Sequence, residues 1–290
     1  MTAKAISAKE ISELRARTSA GMMDCKAALD EAQGDMDKAV EILRKKGIAK
    51  AEKRGGRNAS QGLVVIASHQ AGHDVAMTEL NCETDFVART EEFIHLAREL
   101  SLLASRQAPA GVHQGAALGA QAFRGKTVAE IIKEVSGTTG EAMTLKQVAR
   151  FTQPNGTVQS YLHHNGQVGV LVEVEGPAGE VLAALGRDLA LHVASADPIG
   201  VSDADIPKDT LDRERRIAEE QVAAEAKPEN IRAKIVDGKL RKFVAERALL
   251  SQAFVKDETR AVADLVKDAA KALGGPVTVK RFARFKVGES

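Results

Sequence analysis

The sequence predicts an α+β fold: a small N-terminal bundle of three helices, then two duplicated α+β subdomains, the second interrupted by a protruding antiparallel helical hairpin. Three observations predict this. Residues 7–47 carry a helical apolar period broken by glycines, the remainder matches itself at constant offsets, and a charged stretch near residues 203–250 interrupts the second copy.

The bundle comes first. Ser7 and Glu10 have capping-box spacing, and Ile11 and Leu14 share the apolar face that follows. A second helix is expected from about Met22 to Glu31 and a third from about Asp35 to Lys46. Gly34 and Gly47 read as breaks, and Ala39, Ile42 and Leu43 face inward. Residues 50–60 are charged, contain Gly55-Gly56 and lack an apolar period, so they read as a linker. The expected division is 1–55 for bundle and linker, 56–152 for the first subdomain and 153–290 for the second.

The duplication emerges when the sequence is slid along itself. Gly62, His69, Gly72 and Glu79 reappear as Gly156, His163, Gly166 and Glu173, an offset of 94, and Ala104-Ser105 reappears as Ala194-Ser195, an offset of 90. Val128 to Lys133 then answers Val262 to Lys267, and Thr144 to Phe151 answers Thr278 to Phe285, at an offset of 134. Each copy reads as a β-rich segment with a turn near its histidine, two helices and a final strand. The growth in offset locates the insertion at 203–250. There, Ile217 and Val222 on one arm and Ile231, Ile235, Leu240 and Val244 on the other are spaced to meet across a hairpin that turns at Lys227-Pro228-Glu229-Asn230. The hairpin is also a candidate surface for pairing two copies of the chain. Residues 106–126, rich in Ala, Gly and Gln, carry no motif and suggest only a mobile connection or irregular helix.

Composition narrows the function classes. The 41 basic and 40 acidic side chains nearly cancel, so no broad positive field exists to gather phosphates, and aromatics at 3% leave little to stack on bases. Direct nucleic-acid binding is therefore not expected. The basic tract Arg44-Lys45-Lys46 through Arg57 reads more simply as solvated helix ends. Cys25 and Cys82 stand far apart without CxxC spacing, which suggests neither a disulfide framework nor a zinc site and fits a reducing cytoplasm. The N-terminus lacks an apolar signal core, and nothing approaches the ~18 apolar residues of a membrane span. There is no GxxxxGK[ST], HExxH or GxSxG, so no catalytic residue, cofactor or metal is assigned and the chain does not read as an enzyme. His163-His164 could suggest a metal, yet His163 has a repeat partner in His69, and a duplicated turn explains both.

One segment stands apart. Asn81-Cys82-Glu83-Thr84-Asp85-Phe86-Val87-Ala88-Arg89 has no counterpart in the second copy, where Glu175-Gly176-Pro177-Ala178 turns the chain. Two readings of it stay open. Thr84-Asp85 caps a helical turn while Phe86 returns to the core, or the carboxylate and ring at the end of a strand form a wedge for another protein.

At these residues the sequence resembles the translation elongation factor Ts family, the guanine-nucleotide exchange factors of elongation factor Tu. Residues 14–29, containing Arg17-Thr18-Ser19-Ala20-Gly21-Met22-Met23-Asp24-Cys25, are similar to the family's N-terminal signature. Thr84-Asp85-Phe86-Val87 and Tyr161-Leu162-His163 with Gly166-Gln167-Val168-Gly169 resemble two further motifs, in order and over nearly the whole chain. The resemblance implies that the first helices form a ubiquitin-associated-type domain. It also implies that Arg17, Met22 and Met23, the Thr84–Val87 loop and His163 contact the GTPase, in its GDP-bound and nucleotide-free states, with the loop displacing magnesium. Some members continue into another C-terminal helical module; here the sequence runs only to Ser290, which implies that this contact is missing.

Overall fold

The computed structural model describes residues 6–18, 20–54, 56–69, 74–223 and 228–289. Ser19, Gly72 and Lys227, invoked above in the signature, the repeat and the hairpin turn, lie outside the described residues. Ser7 and Glu10 form the expected reciprocal pair, the Ser7 amide and hydroxyl each 2.8 Å from Glu10 Oε2, and helix α1 (Ala8–Thr18) follows. α2 (Met22–Glu31) and α3 (Met36–Arg54) complete a bundle around Leu14, Cys25, Leu29 and Ala39, all fully buried. Gly34 turns the chain with a φ of 83° that disfavours any side chain, and Asp35 caps α3 by accepting the amides of Asp37 and Lys38.

The first subdomain runs β1 (Gln61–His69), β2 (Asp74–Cys82), α4 (Asp85–Ala88), α5 (Glu91–Gln107), β3 (Gly111–Gln114), α6 (Ala116–Gly119), β4 (Ala122–Phe123), β5 (Lys126–Thr127), α7 (Val128–Thr139) and β6 (Met143–Thr152). Its antiparallel sheet has the order β1-β2-β6-β3, with β2 buried along its whole length. Phe93, Leu96 and Leu100 of α5 and Val128, Ile131 and Val135 of α7 cover one face, packing on Ala76, Leu80 and Val148. The second subdomain runs β7 (Gly156–Leu162), β8 (Val168–Glu175), α8 (Glu180–Ala196), α9 (Lys208–Ala223), α10 (Glu229–Arg247), β9 (Ala253–Phe254), β10 (Asp257–Ala261), α11 (Val262–Leu273) and β11 (Thr278–Lys286). Its sheet, β7-β8-β11, repeats β1-β2-β6, and α8 and α11 cover it as α5 and α7 cover the first.

The duplication extends to close backbone approaches. A Cβ on Gly62 would lie 2.2 Å from Leu80 O, and one on Gly156 would lie 2.1 Å from Val174 O, so both copies need glycine where the first strand begins. The uncovered faces of the two sheets meet. Val64, Met77 and Phe151 of one pack against Leu171, Ala283 and Phe285 of the other, giving a helix–sheet–sheet–helix stack.

Three expectations need correcting. α3 does not stop at Gly47, and residues 50–54 are helix where a linker is expected. The reason is tertiary: α3 crosses α7 backbone to backbone, Gly47 against Gly137, and Arg44 Nε meets Glu134 Oε1 at 2.5 Å. Residues 106–126 are ordered, adding β3 to the edge of β6 and burying Leu118 completely. In the hairpin of α9 and α10 the seam is Ala218, Val222 and Val236 with Ile235 and Leu240, while Ile217 and Ile231 are exposed. Among the described residues, no helix is long and apolar enough to cross a membrane.

Candidate functional site

β2 ends at Cys82, and the chain then makes a sharp helical turn. Thr84 is its N-cap, with extended backbone and Oγ1 accepting the Val87 amide at 3.4 Å, so the capping half of the sequence reading holds. The other half does not. Phe86 is 79% exposed, and it is Val87 and Ala88 that return to the core beneath α5. Asp85 pairs across one turn with Arg89 at 2.9 Å, a surface pair that steers the carboxylate more than it stabilises the fold.

The turn is anchored from below. Thr84 Oγ1 donates to Glu141 Oε1 at 2.5 Å and the Thr84 amide donates to Glu141 Oε2 at 3.0 Å. In return, the Ala142 amide donates to Glu83 Oε1 at 2.7 Å, and Arg57 lies 3.4 Å from the same oxygen. Cys82 sits under the turn, its Sγ 3.1 Å from Thr84 O. Burial, and then the nearby Glu141 carboxylate, push that thiol up to about 12, so it stays protonated and donates to the carbonyl.

His163 lies on the turn between β7 and β8. Its Nδ1 is 2.9 Å from Tyr161 Oη, its amide bonds Val168 O, and Gly166, with a φ of 69°, returns an amide to His163 O. The turn is fastened to the first sheet, because the Val64 amide donates to Gly166 O at 2.8 Å and Gln167 Nε2 donates to Gly62 O at 3.0 Å. Asn165 and Gln167 consequently line one groove with Thr84, Asp85 and Phe86. The structure thus brings the Thr84–Phe86 turn and the His163 turn together although they are about eighty positions apart.

The N-terminal candidates lie elsewhere. Arg17 pairs with Asp37 at 3.0 Å and borders a cleft between the bundle and α7. Met22 and Met23, at the start of α2, are 59% and 76% exposed. Two unsupported thioethers and one bare aromatic ring are apolar surface the chain leaves open, which fits protein contact better than small-molecule chemistry. Glu83, Glu141, Asn165 and Gln167 were not singled out from sequence as site residues. The lack of both acids at the matching positions of the second copy is the signal that could have found the first two.

A profile of the family described as Elongation factor TS matches residues 83–289, from the anchored turn through the rest of the first α+β copy and the whole of the second, with β1 and β2 preceding the match. Proteins called Elongation factor Ts are similar over the bundle as well. One from Clostridium perfringens is 42% identical over 286 residues, covering 98% of this chain and 93% of its own. One from Aquifex aeolicus is 42% identical over 290 residues, 98% of each chain. The chain belongs to the elongation factor Ts family. A third relative, from Chlorobium phaeobacteroides, is 40% identical over 285 residues and covered to 99% of its length. The elongation factor Ts family acts in translation elongation as the nucleotide-exchange factor of elongation factor Tu. Exchange breaks no covalent bond, so the family catalyses no chemical reaction and works through contact with that GTPase.

Proposed function

We propose that this chain binds elongation factor Tu carrying GDP, displaces its magnesium with the Thr84–Val87 turn and so releases GDP for replacement by GTP. The observation that carries the reading is the exposed Phe86 ring at the tip of an anchored turn, with the Asp85 carboxylate beside it. A rigid aromatic ring suits a partner's pocket, and the adjacent charge competes for polar groups around the metal. Magnesium bridges phosphate oxygens and protein ligands, so dislodging it weakens the nucleotide's hold. Met22 and Met23, with Arg17 nearby on α1, supply a second contact and the His163 turn a third. By linkage, the coupling that expels GDP lets incoming GTP expel the factor, and turnover requires tighter binding to the open GTPase than to the closed one. Basic residues of the tract from Arg44 to Arg57 are engaged by acids, Arg44 by Glu134, Lys46 by Glu31 and Arg57 by Glu83, which favours a protein partner over a nucleic acid. The test is to load elongation factor Tu with fluorescent GDP and follow its release against excess unlabelled nucleotide. Catalytic amounts of this chain should accelerate release; release at the intrinsic rate would overturn the reading.

A further inference from the structure

The corner that carries the turn is closed by two carboxylates that the fold does not itself require. Glu141 takes both the amide and the hydroxyl of Thr84, and Glu83 takes the amide of Ala142, so the end of β2 and the start of β6 are joined at two points. Two rungs fix orientation as well as distance. A helix of four residues has no stability of its own, so the conformation of Asp85 and Phe86 follows whatever holds their N-cap.

The duplication supplies an internal control. The offset of 94 carries Glu83 to Pro177, and the offset of 134 carries Glu141 and Ala142 to Gly275 and Pro276. Those residues meet in the second copy too: a Cβ on Gly275 would lie 3.0 Å from Pro177 Cγ, and one on Gly176 would lie 3.2 Å from Pro276 O. The same corner therefore closes there by proline against glycine, without a carboxylate, and Pro276 has no amide hydrogen to give. The second copy is also shorter along this stretch, since the offset falls from 94 at Glu173 to 90 at Ala194, a loss of four residues that matches the length of α4. What the first copy adds is the turn and its two carboxylates together.

We propose that Glu141 is a positioning residue for nucleotide exchange, holding through both carboxylate oxygens the N-cap of the turn that presents Asp85 and Phe86. This rests on the reading of that turn as the exchange element. Hydrogen bonds to a carboxylate are stronger than neutral ones, and a preset turn spares the complex the entropy of ordering it at the moment GDP leaves.

The experiment uses the full chain with Glu141→Ala, Glu141→Gln and, in parallel, Phe86→Ala, measuring GDP release from elongation factor Tu across factor concentrations. Glu141→Ala should lower the maximal release rate by about tenfold or more while the half-saturating concentration moves less than about threefold, because the Phe86 ring itself is retained and the Met22, Met23 and His163 surfaces are untouched. Glu141→Gln keeps one acceptor oxygen and should recover part of the rate. Amide hydrogen exchange should quicken at Thr84 and stay unchanged at Met77 in the middle of β2. Unchanged Thr84 protection, or a wild-type maximal rate in Glu141→Ala when Phe86→Ala is slow, overturns the proposal and leaves the exchange reading standing. Wild-type rates in both variants overturn the two together. If Glu141→Ala fails to fold, Glu83→Ala removes the other rung, and a wild-type rate there is equally contrary.

Discussion

Replacing Gly137 with alanine tests how the bundle is held to the first subdomain. A Cβ at that position would lie 2.7, 2.8 and 2.9 Å from the carbonyl carbon, Cα and oxygen of Gly47. All three are backbone atoms, so no side chain can swing aside and α3 must move away from α7. Overpacking of this kind costs about 1–3 kcal/mol, and the better helix propensity of alanine returns up to about 1 kcal/mol. The net expectation is a loss of about 1–2 kcal/mol, or on the order of 5 °C in melting temperature. The reverse substitution behaves differently. A Cβ on Gly47 would come no closer than 3.4 Å to Gly137 Cα, an ordinary contact, so Gly47→Ala should be neutral or stabilise by up to about 1 kcal/mol. Thermal unfolding of the two variants beside the parent decides the matter. Equal shifts, or a stabilised Gly137→Ala, would refute the reasoning that this crossing sets the helix separation.

Other outcomes follow from the same structure. Buried His192 accepts the Val255 amide on Nδ1 at 3.2 Å and so presents Nε2–H to Gln252 Oε1 at 2.9 Å; burial lowers its pKa. The folded state then refuses a proton that the unfolded chain takes below about pH 6.5, so stability should fall as pH drops from 7 towards 5. Denaturant unfolding should show that slope flattened in His192→Gln, and an unaltered slope counts against it. Excising residues 204–246 should preserve most exchange, because the hairpin's roots are already bonded together, Ile199 amide to Arg247 O and Leu249 amide to Gly200 O, both at 2.9 Å. A short Gly-Ser connector should suffice, and a loss as large as that from changing Phe86 would contradict this. Deleting residues 1–55 should leave the two α+β copies cooperatively folded but slow in exchange, since their three cores are built without the bundle. Aggregation of the truncated chain would show the boundary to be misplaced.

Some of this was legible in the sequence and some was not, for identifiable reasons. The duplication could be read because a structural need repeats: Gly62 and Gly156 sit where a Cβ would strike the neighbouring strand, and the spacing between them survives. Gly47 misled because glycine inside a helical pattern usually reads as a break, whereas here a partner helix needs the space. β3 could not be read because Gly111–Gln114 is a strand only by adding to the edge of β6, from Arg150 to Gln147. In the hairpin, Ala218 fills the seam and Ile217 beside it is exposed, a difference of one position that an apolar period cannot fix. The Thr84–Val87 turn was visible as the segment missing from the second copy. Its anchor was hidden, because Thr84 and Glu141 are bonded across 57 positions and nothing local marks Glu141 as a partner.

The central claim is that the Asp85–Phe86 turn acts on the partner's magnesium, and one measurement reaches it most directly. GDP release from magnesium-loaded elongation factor Tu is followed with the parent chain and with the Asp85→Ala, Phe86→Ala double variant, at physiological magnesium and again after chelation. Because Phe86 is 79% exposed, its truncation opens no cavity, and melting should change by less than about 0.5 kcal/mol, against the 3–5 kcal/mol of a buried ring. Release at physiological magnesium should slow severely, with binding weaker by about 2 kcal/mol or more, as for an aromatic hot spot. Chelation should remove much of the difference between variant and parent. A folded double variant that exchanges at the full rate in the presence of magnesium would take Asp85 and Phe86 out of the mechanism and leave the bundle and the His163 turn to carry it.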